Sequence, residues 1–241
     1  NHSKFLSNFS TNRKTNSLGW FNGSQNIVEV RNSHFIDNQG QAETAIKIVG
    51  DFIIDSCFFV NNSADFYGGA KGVSGLSNGI VSNSLFYGNH LDSLNGNAGA
   101  FTVWTGSNVD FINCTFTQNN AGEGGTGGGI SAGNGANVNI INSILYDNYP
   151  NNLSAELWDS CSTINITHSI LQAGYEQIHI DTTSCNINWG VGNLDIDPLF
   201  CDAQNFDFTL SESSPAIGNG QFSANIGHYG VGCLESLIIE S

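Results

Sequence analysis

Apolar and polar positions recur along the chain in a seven-residue phrase. It consists of a small polar pair, an apolar pair and, two residues later, an asparagine. Successive phrases start 30, 23, 28, 30, 29 and 26 residues apart. Self-similarity at a period of about 20–50 residues is typical of solenoids, propellers and repeat arrays. The copies are HSKFLSN (2–8), NSHFIDN (32–38), DSCFFVN (55–61), NSLFYGN (83–89), NCTFTQN (113–119), NSILYDN (142–148) and HSILQAG (168–174).

The residues in front of each phrase have the pattern of short strands. Residues 108–112 and 137–141 are rich in β-branched side chains and partly alternate, and residues 100–104, farther upstream, alternate as well. Such runs are typical of strands, and no segment keeps a helical period of 3.6 residues for long. Each repeat is therefore expected to hold three short strands separated by turns.

One extended turn of chain per repeat predicts the fold class. The repeats lack the longer unit of a propeller blade and the signature of a leucine-rich repeat. We therefore predict an all-β fold, a single-stranded parallel β-helix or solenoid of about seven to eight coils. Its crossovers are expected to be right-handed, as connections between parallel strands nearly always are.

Stacking of the coils assigns a place to each position of the phrase. Equivalent residues of successive coils lie about 4.8 Å apart in a parallel sheet. The first aromatic position should therefore form a buried column of rings, and the closing asparagines should lie at left-handed turns and bond the same amide one rung away. The column is predicted as Phe5, Phe35, Phe58, Phe86, Phe116, Leu145 and Leu171, and the ladder as Asn8, Asn38, Asn61, Asn89, Asn119 and Asn148.

The regular phrases loosen after Pro150, which suggests a boundary. We assign residues 1–200 to the coils and residues 201–241 to an irregular C-terminal cap and the start of a linker, because a solenoid must cover its last apolar rung with something atypical. Residues 9–25 form a longer polar excursion, expected as a loop over the first coil. The chain opens inside a coil and lacks Met, so we expect a mature or excised fragment.

Charge and hydropathy exclude several kinds of partner. The net charge is −15, and all six Lys and Arg residues lie in the first third, the last being Lys71. Nucleic acid and anionic membrane surfaces are therefore poor partners. No run of about 18 apolar residues exists, so no membrane span is expected. The acidic, Asn- and Gly-rich composition suits a secreted protein, with Ca²⁺ as the cofactor it could bind.

Four of the six cysteines are predicted to form disulfides, as expected of a secreted chain. Cys161 and Cys185 precede equivalent strands of adjacent coils, and one rung of about 4.8 Å lies within the disulfide range of about 4.4–6.8 Å between Cα atoms. Cys201 and Cys233 bracket the predicted cap, so that their pairing would close a loop around it.

The other two cysteines are expected as free thiols. Cys57 and Cys114 lie two coils apart and at different positions of their phrases. Two rungs span about 9.6 Å, which is too far for a bridge, so both should pack as small apolar residues.

A catalytic site is not evident from the residues. A lyase acting on uronic polysaccharides would need a cation beside its base, and no Lys or Arg follows Lys71. A hydrolase would need only two facing carboxylates, but none form a recognisable pair. Asp195 and Asp197 could ligate Ca²⁺ near the cap, and the alternative is that they cap turns through hydrogen bonds.

One strand offers a candidate binding face. In residues 100–104 the alternation that buries Phe101 and Val103 turns Thr102 and Trp104 outward, onto a strip of mostly small residues. Trp158 lies two coils farther on and is expected on the same strip, about 10 Å from Trp104. Two exposed indoles at that spacing would form a platform for stacking sugar rings.

The alternative for these tryptophans is burial, since large aromatic side chains are usually mostly buried. In that case Trp158 would pack under the loosened C-terminal coils, and residues 91–97 would cover Trp104.

The C-terminal stretch carries a resemblance to a known group of proteins. The motifs DPLF (197–200), SPAI (214–217) and NIGHYG (225–230) resemble the end of secreted bacterial right-handed β-helix repeat proteins. The Phe-x-x-Asn and Gly-Gly-Ala/Ile repeats are similar to those of polymorphic outer-membrane proteins. That resemblance implies secretion and a cell-surface location, in a group that contains adhesins, passenger domains and some polysaccharide-active enzymes.

These observations together favour a noncatalytic structural or adhesive protein. Its expected partner is an extracellular glycan, another surface molecule or further copies of itself. The alternative is a polysaccharide-degrading lyase or glycoside hydrolase of the β-helix type.

Overall fold

Short strands stack coil on coil into a parallel β-solenoid of about six turns, somewhat fewer than the seven to eight predicted. The computed structural model describes residues 3–6, 20–42, 44–182 and 184–234. The predicted ladder residue Asn8 and most of the polar excursion at 9–25 lie outside these ranges. No helix in the described residues combines the length and the apolar character needed to cross a membrane.

The strands are β1 (Ser3–Leu6), β2 (Trp20–Arg31), β3 (Ser33–Ile36), β4 (Gln39–Ala42), β5 (Ile46–Asp55), β6 (Phe58–Val60), β7 (Ser63–Tyr67), β8 (Lys71–Val73), β9 (Asn78–Ser82), β10 (Leu85–Tyr87), β11 (His90–Leu91), β12 (Phe101–Val103), β13 (Asn108–Ile112), β14 (Thr115–Thr117), β15 (Ile130–Gly133), β16 (Asn137–Ile141), β17 (Ile144–Tyr146), β18 (Leu153–Glu156), β19 (Thr163–Thr167), β20 (Ile170–Leu171), β21 (His179–Ile180), β22 (Asn186–Trp189), β23 (Phe200–Asp202), β24 (Asp207–Ser211) and β25 (Val231–Cys233). Short 3-10 turns occupy Tyr175–Gln177, Ala203–Asn205 and Gln221–Ser223.

Two large sheets carry the coils. The phrases form a seven-stranded sheet in the order β1-β3-β6-β10-β14-β17-β20. The strands in front of them form a twelve-stranded sheet, which divides at the long strand β5. Its first arm is β8, β12, β15, β18 and β21, which continue from the first half of β5. Its second arm is β9, β13, β16, β19 and β22, which continue from the second half.

A column of phenylalanine rings fills the core beneath the seven-stranded sheet. Phe35, Phe59, Phe86 and Phe116 stack face to face, with centroids 4.8, 4.7 and 4.4 Å apart and interplanar angles of 4° or less. Phe5 is the register partner of Phe35, and Leu145 and Leu171 continue the column at the other end. The prediction is confirmed at Phe35, Phe86, Phe116, Leu145 and Leu171, and for Phe5 the backbone register agrees with it.

The predicted register is wrong by one residue in the second phrase. Phe59, not Phe58, pairs with Phe35 and Phe86, and Phe58 lies half-buried on the outer face. Likewise Asn62, not Asn61, belongs to the asparagine ladder. The phrase contains two adjacent phenylalanines followed by two adjacent asparagines, so the pattern alone fits either alignment.

The asparagine ladder runs along the buried turn at the end of the phrase. Each side-chain amide donates to the carbonyl oxygen of the next asparagine at 2.8–2.9 Å. From Asn62 to Asn148 each also donates to a backbone carbonyl of the preceding coil, as Asn89 does to Phe59 at 2.9 Å. The ladder residues are Asn38, Asn62, Asn89, Asn119, Asn148 and Asn152.

The left-handed residue of this turn stands one position earlier than predicted. Positive φ occurs at Asp37, Asn61, Gly88, Gln118 and Asp147, each directly before a ladder asparagine. None of the ladder asparagines has a positive φ. They contribute to the turn through the hydrogen bonds of their side chains and not through a left-handed backbone.

Cys57 and Cys114 are buried free thiols, as predicted. They do not, however, occupy different positions of the phrase. Both lie in one column of small side chains with Ser84 between them, so that two rungs separate the thiols. Burial raises the pKa of Cys57 to about 11 and that of Cys114 to about 12.

The C-terminal segment, which the structure describes over residues 201–234, lies along the side of the coils. The cap had been expected over their last rung. Leu210, Ala216 and Ile226 pack against Ile144 and Ile170 of the seven-stranded sheet. The chain then continues toward earlier coils.

Backbone N–H groups bond this segment to the coils, among them that of Gln221, which donates to the side-chain oxygen of Asn142 at 2.6 Å, and a disulfide joins the segment to itself. The Gly227 N–H donates to the Asn142 carbonyl at 2.7 Å, and the His228 N–H donates to the Thr115 hydroxyl at 3.0 Å. The predicted Cys201–Cys233 disulfide is present and joins two strands of its three-stranded sheet.

Candidate functional site

The outer face of the first arm carries two columns of side chains. In the first column, successive coils place Lys47, Gly72, Thr102, Ser131, Ser154 and His179 in register. The second column, two residues farther along each strand, includes Trp104, Gly133 and Glu156. Strand alternation turns these residues away from the core, because their neighbours Phe101, Ile130 and Leu153 are fully buried.

The first column is covered although it faces outward. Thr102 is only 2% exposed, and its hydroxyl lies 3.5 Å from the Lys71 carbonyl. A Cβ at Gly68, where φ is +50°, would lie 3.1 Å from this hydroxyl, so the turn before β8 passes directly over Thr102. Thr102 is thus part of the floor of the face rather than an open contact.

Three aromatic rings form a row, with Trp104 of the second column in the middle. The Trp104 ring lies 5.1 Å from the Trp158 ring at 75° and 6.3 Å from the Tyr67 ring at 62°. Trp158 is 62% exposed and Tyr67 is 44% exposed, whereas Trp104 is half-buried between them. The three rings thus meet at steep angles and line one side of the face.

Trp104 can lie flat because Gly133 has no side chain. A Cβ at Gly133 would lie 3.3 Å from the Trp104 indole and 3.4 Å from the Cβ of Glu156. Gly133 therefore lies between the Trp104 indole and the side chain of Glu156, so that the aromatic row and Glu156 are neighbours on this face.

The predicted geometry of the two tryptophans needs correction. The sequence placed Trp158 about 10 Å from Trp104 at two rungs, but the two rings are in edge-to-face contact. The alternative, in which Trp158 packs under the C-terminal coils, is excluded by its exposure. The two rungs separate the backbones, and the side chains reach across that distance.

The rings border a groove of about 290 Å³. This volume is at the lower end of the range of about 300–1,000 Å³ that is typical of ligand sites. Polar groups line it between the rings, and the Nε1 of Trp104 is buried without a hydrogen-bond partner in the described part of the chain. The lining residues are Tyr67, Ser74, Thr102, Trp104, Thr105, Asn134 and Trp158.

An acidic cluster lies at the C-terminal end of the same face. Glu156, His179 and Asp181 each offer a ligand atom, and these atoms all lie within 4.8 Å of one another. Glu156 is 7% exposed, His179 is half-buried and Asp181 is exposed.

The sequence did not single out this cluster. His179 pairs in register with Ser154, and Ser154 stands two residues before Glu156. The sequence could have indicated the cluster only through this step of 25 residues between adjacent coils, in the part of the chain where the repeats loosen.

Asp195 and Asp197 are not part of this cluster. An oxygen of Asp195 accepts a hydrogen bond from the Ala173 N–H at 2.7 Å, and one of Asp197 accepts from the Leu199 N–H at 2.8 Å. Burial, followed by the negative charges of Asp197, Asp147 and Asp195, raises the pKa of Tyr146. Both aspartates thus make the turn contacts given as the alternative, and Ca²⁺ binding by them stays a prediction.

The last coil is fastened by the predicted Cys161–Cys185 disulfide, whose Cα atoms are 4.7 Å apart. The bridge joins the segments that follow β18 and β21, which pair over only two residues each. It therefore helps to hold His179 and Asp181 against Glu156.

Neither the family models, nor the curated proteins, nor the solved structures contain a significant match to this chain. The resemblance to polymorphic outer-membrane protein repeats therefore rests on the quoted motifs alone. What the molecule does must be argued from its groove and its charges.

Proposed function

We propose that this protein is an extracellular, noncatalytic β-solenoid that binds neutral glycans in the groove of Tyr67, Trp104 and Trp158. The observation that carries the proposal is the row of three rings at 5.1 and 6.3 Å, two of them largely exposed. Aromatic faces offer large contact areas for the apolar faces of sugar rings, with polar groups at their edges for the hydroxyls.

Charge favours a neutral glycan over an acidic one. The cluster of Glu156 and Asp181 lies beside the groove, and the sequence has no Lys or Arg after Lys71. A uronate or sulfate group would meet negative potential there, and the cation of this face, Lys47, lies two rungs before Thr102, at the end of the face away from the cluster. Location outside the cell is supported by the two disulfides, since such bonds persist mainly in oxidising compartments.

Tryptophan fluorescence tests the proposal directly. A panel of neutral and acidic oligosaccharides is titrated into the protein, and only neutral members should give a saturable change. Trp158→Ala and Tyr67→Ala should each weaken binding by about 10-fold or more, since loss of a stacked ring is worth about 1.5 kcal/mol. Trp189→Phe, at the end of the second arm, is the matched control and should bind as the parent does. Binding that survives both groove substitutions would refute the proposal.

Glycoside hydrolysis is the second candidate, and one observation favours it. Carboxylate oxygens of Glu156 and Asp181 lie within 4.8 Å of each other, beside the aromatic groove. In retaining glycosidases the two carboxyl groups are about 5–5.5 Å apart. New reducing ends from a neutral glycan, lost in Glu156→Gln, would establish the hydrolase. The noncatalytic proposal expects neither reducing ends nor unsaturated products from any glycan that binds.

A further inference from the structure

The side chains of Glu156, His179 and Asp181 converge without bonding to one another. Their ligand atoms lie within 4.8 Å, yet no hydrogen bond or ion pair joins any two of the three in the described part of the chain. Each carboxylate is held through one oxygen only. The Thr126 hydroxyl donates to Oε1 of Glu156 at 2.6 Å, and the Leu157 N–H donates to Oδ2 of Asp181 at 3.2 Å.

The charge of Glu156 calls for a counter-charge. Glu156 is only 7% exposed, and the carboxylate of Asp181 lies within 4.8 Å of its own. Buried carboxylates are normally paired with a cation or coordinate a metal, because losing their hydration is costly. No Lys or Arg exists after residue 71 to supply that charge.

A second observation points to a ligand at the same place. The Ser154 hydroxyl is fully buried and has no hydrogen-bond partner among the described residues. Ser154 faces the same side of β18 as Glu156, because both alternate with the buried Leu153 and Ala155, and it is the register partner of His179. The hydroxyls of Ser131 and Ser162 also lack partners among the described residues, but of the three serines it is Ser154 that is in register with a residue of the cluster, and a metal-bound water there would satisfy its hydroxyl.

We propose that Glu156, His179 and Asp181 form a binding site for one divalent transition-metal ion, with Zn²⁺ as the best-suited member. One imidazole nitrogen and two carboxylate oxygens make the three-ligand set that Zn²⁺ accepts with a fourth position for water. Ca²⁺ fits less well, since it takes six to eight oxygen ligands and avoids nitrogen.

The surrounding contacts are those that a metal site requires. Hydrogen bonds from Thr126 and from the Leu157 backbone fix one oxygen of each carboxylate and leave the second oxygen without a hydrogen bond among the described residues. The Cys161–Cys185 disulfide clamps the short β18–β21 pairing that brings the ligands together. Binding of the ion does not depend on the proposed glycan binding, because none of the three ligands belongs to the aromatic row.

Calorimetric titration of Zn²⁺ into the chelator-treated full chain, with both disulfides intact, tests the site. One ion should bind per chain. His179→Ala should weaken Zn²⁺ binding by more than about 100-fold, and Thr126→Val, which removes only the supporting hydroxyl, by about 10–100-fold. Asp51→Asn removes an exposed carboxylate of β5, outside the cluster, and should leave the affinity unchanged. Trp158→Ala should also retain Zn²⁺, so that failure of glycan binding and failure of metal binding are separable.

Three results would each overturn the site: no saturable Zn²⁺ binding, an affinity in His179→Ala and Glu156→Gln equal to that of the parent protein, or tight Ca²⁺ binding without any preference for Zn²⁺. Far-ultraviolet circular dichroism of each variant establishes that the coils are intact. If His179→Ala does not fold, His179→Gln replaces it, because the amide keeps the size of the ring but ligates Zn²⁺ poorly.

Discussion

Beneath the seven-stranded sheet, the same kind of residue occupies the same position on successive rungs, whereas on the outer face of the first arm neighbouring rungs carry different residues. The phenylalanine column repeats one ring contact three times and the asparagine ladder repeats one hydrogen bond five times, each at nearly constant distance. The outer face of the first arm changes from Gly72 to Thr102 to Ser131 along one column. Repeated contacts therefore stabilise the solenoid, whereas its candidate sites lie where the residues of successive coils differ.

The largest expected effect comes from breaking the phenylalanine column. Phe86 is fully buried between the rings of Phe59 and Phe116 and meets Phe101 edge-on. Phe86→Ala should lower the free energy of unfolding by about 3–5 kcal/mol, the usual range for such core truncations. Denaturant titration measures this. Phe222→Ala, at a ring that is 94% exposed, should change little, and equal losses in the two variants would contradict the contrast between inside and outside.

The asparagine ladder gives the next largest effect. Asn89→Ala removes a buried amide that donates to the Phe59 carbonyl and to Asn119, and whose oxygen accepts from Asn62. Leaving these groups without partners should cost about 2–3 kcal/mol of unfolding free energy.

Asn108 is the matched outer position for this test. Its exposed amide also donates to an asparagine of the neighbouring rung, Asn78, at 3.0 Å. Because water can replace that bond, Asn108→Ala should stay within about 0.5 kcal/mol of the parent. A loss as large as that of Asn89→Ala would show that exposure does not distinguish the two ladders.

The repeated interior was largely predictable from the sequence because each of its contacts is written several times. The register error, the assignment of Phe58 and Asn61 in place of Phe59 and Asn62, occurred where two identical residues stand side by side. Neither choice changes the local pattern there, and only pairing with the coils on both sides decides the register.

The outside was predictable only as far as strand register reaches. Register correctly placed Thr102 on a strip of small residues, but it did not reveal that Trp158 would fold back onto Trp104. The cluster at Glu156 and His179 escaped notice because the last coil no longer carries the phrase in full. Likewise, the C-terminal segment makes single contacts without a repeat, so nothing in its pattern indicated which face it would cover.

The His228 contact of the C-terminal segment offers a pH-dependent test of the outside. Burial lowers the pKa of His228 to about 4, against an ordinary value of about 6.5 in the unfolded chain. Between these values the unfolded state binds more protons. The stability is thus complete above about pH 6.5 and is lost as the pH falls toward 4.

Unfolding free energies at pH 7 and pH 4.5 measure this contribution, which we expect to be about 2 kcal/mol. His228→Phe should remove that part of the pH dependence, because a phenyl ring can keep the packing against Phe58 and Tyr229 without titrating. His90→Gln, at an exposed imidazole, should keep it. An unchanged profile in His228→Phe would assign the acid sensitivity to other groups.

The smallest expected effect lies inside the coils, in the column that contains Cys57 and Cys114. The backbone N–H of Cys57 donates to the Ser84 hydroxyl at 3.1 Å, and that of Cys114 donates to the Ser143 hydroxyl at 3.1 Å. Those serines in turn donate to the carbonyls two residues earlier, at 2.7 and 2.9 Å. The Cys114 sulfur occupies the equivalent place, since it accepts from the Ser84 N–H and lies 3.5 Å from the Ile112 carbonyl.

A serine at position 114 would therefore continue an existing ladder. Although a hydroxyl in an apolar core is normally unfavourable, Cys114→Ser should cost less than about 1 kcal/mol, because both of its hydrogen bonds are already laid out by the neighbouring rungs. Cys114→Ala leaves the buried Ser84 N–H without an acceptor and should cost about 1–2 kcal/mol. Denaturant titration of the two variants compares them under one condition. If alanine proves the more stable replacement, the column is held by packing alone, and the ladder of hydroxyls contributes nothing to the regularity of the coils.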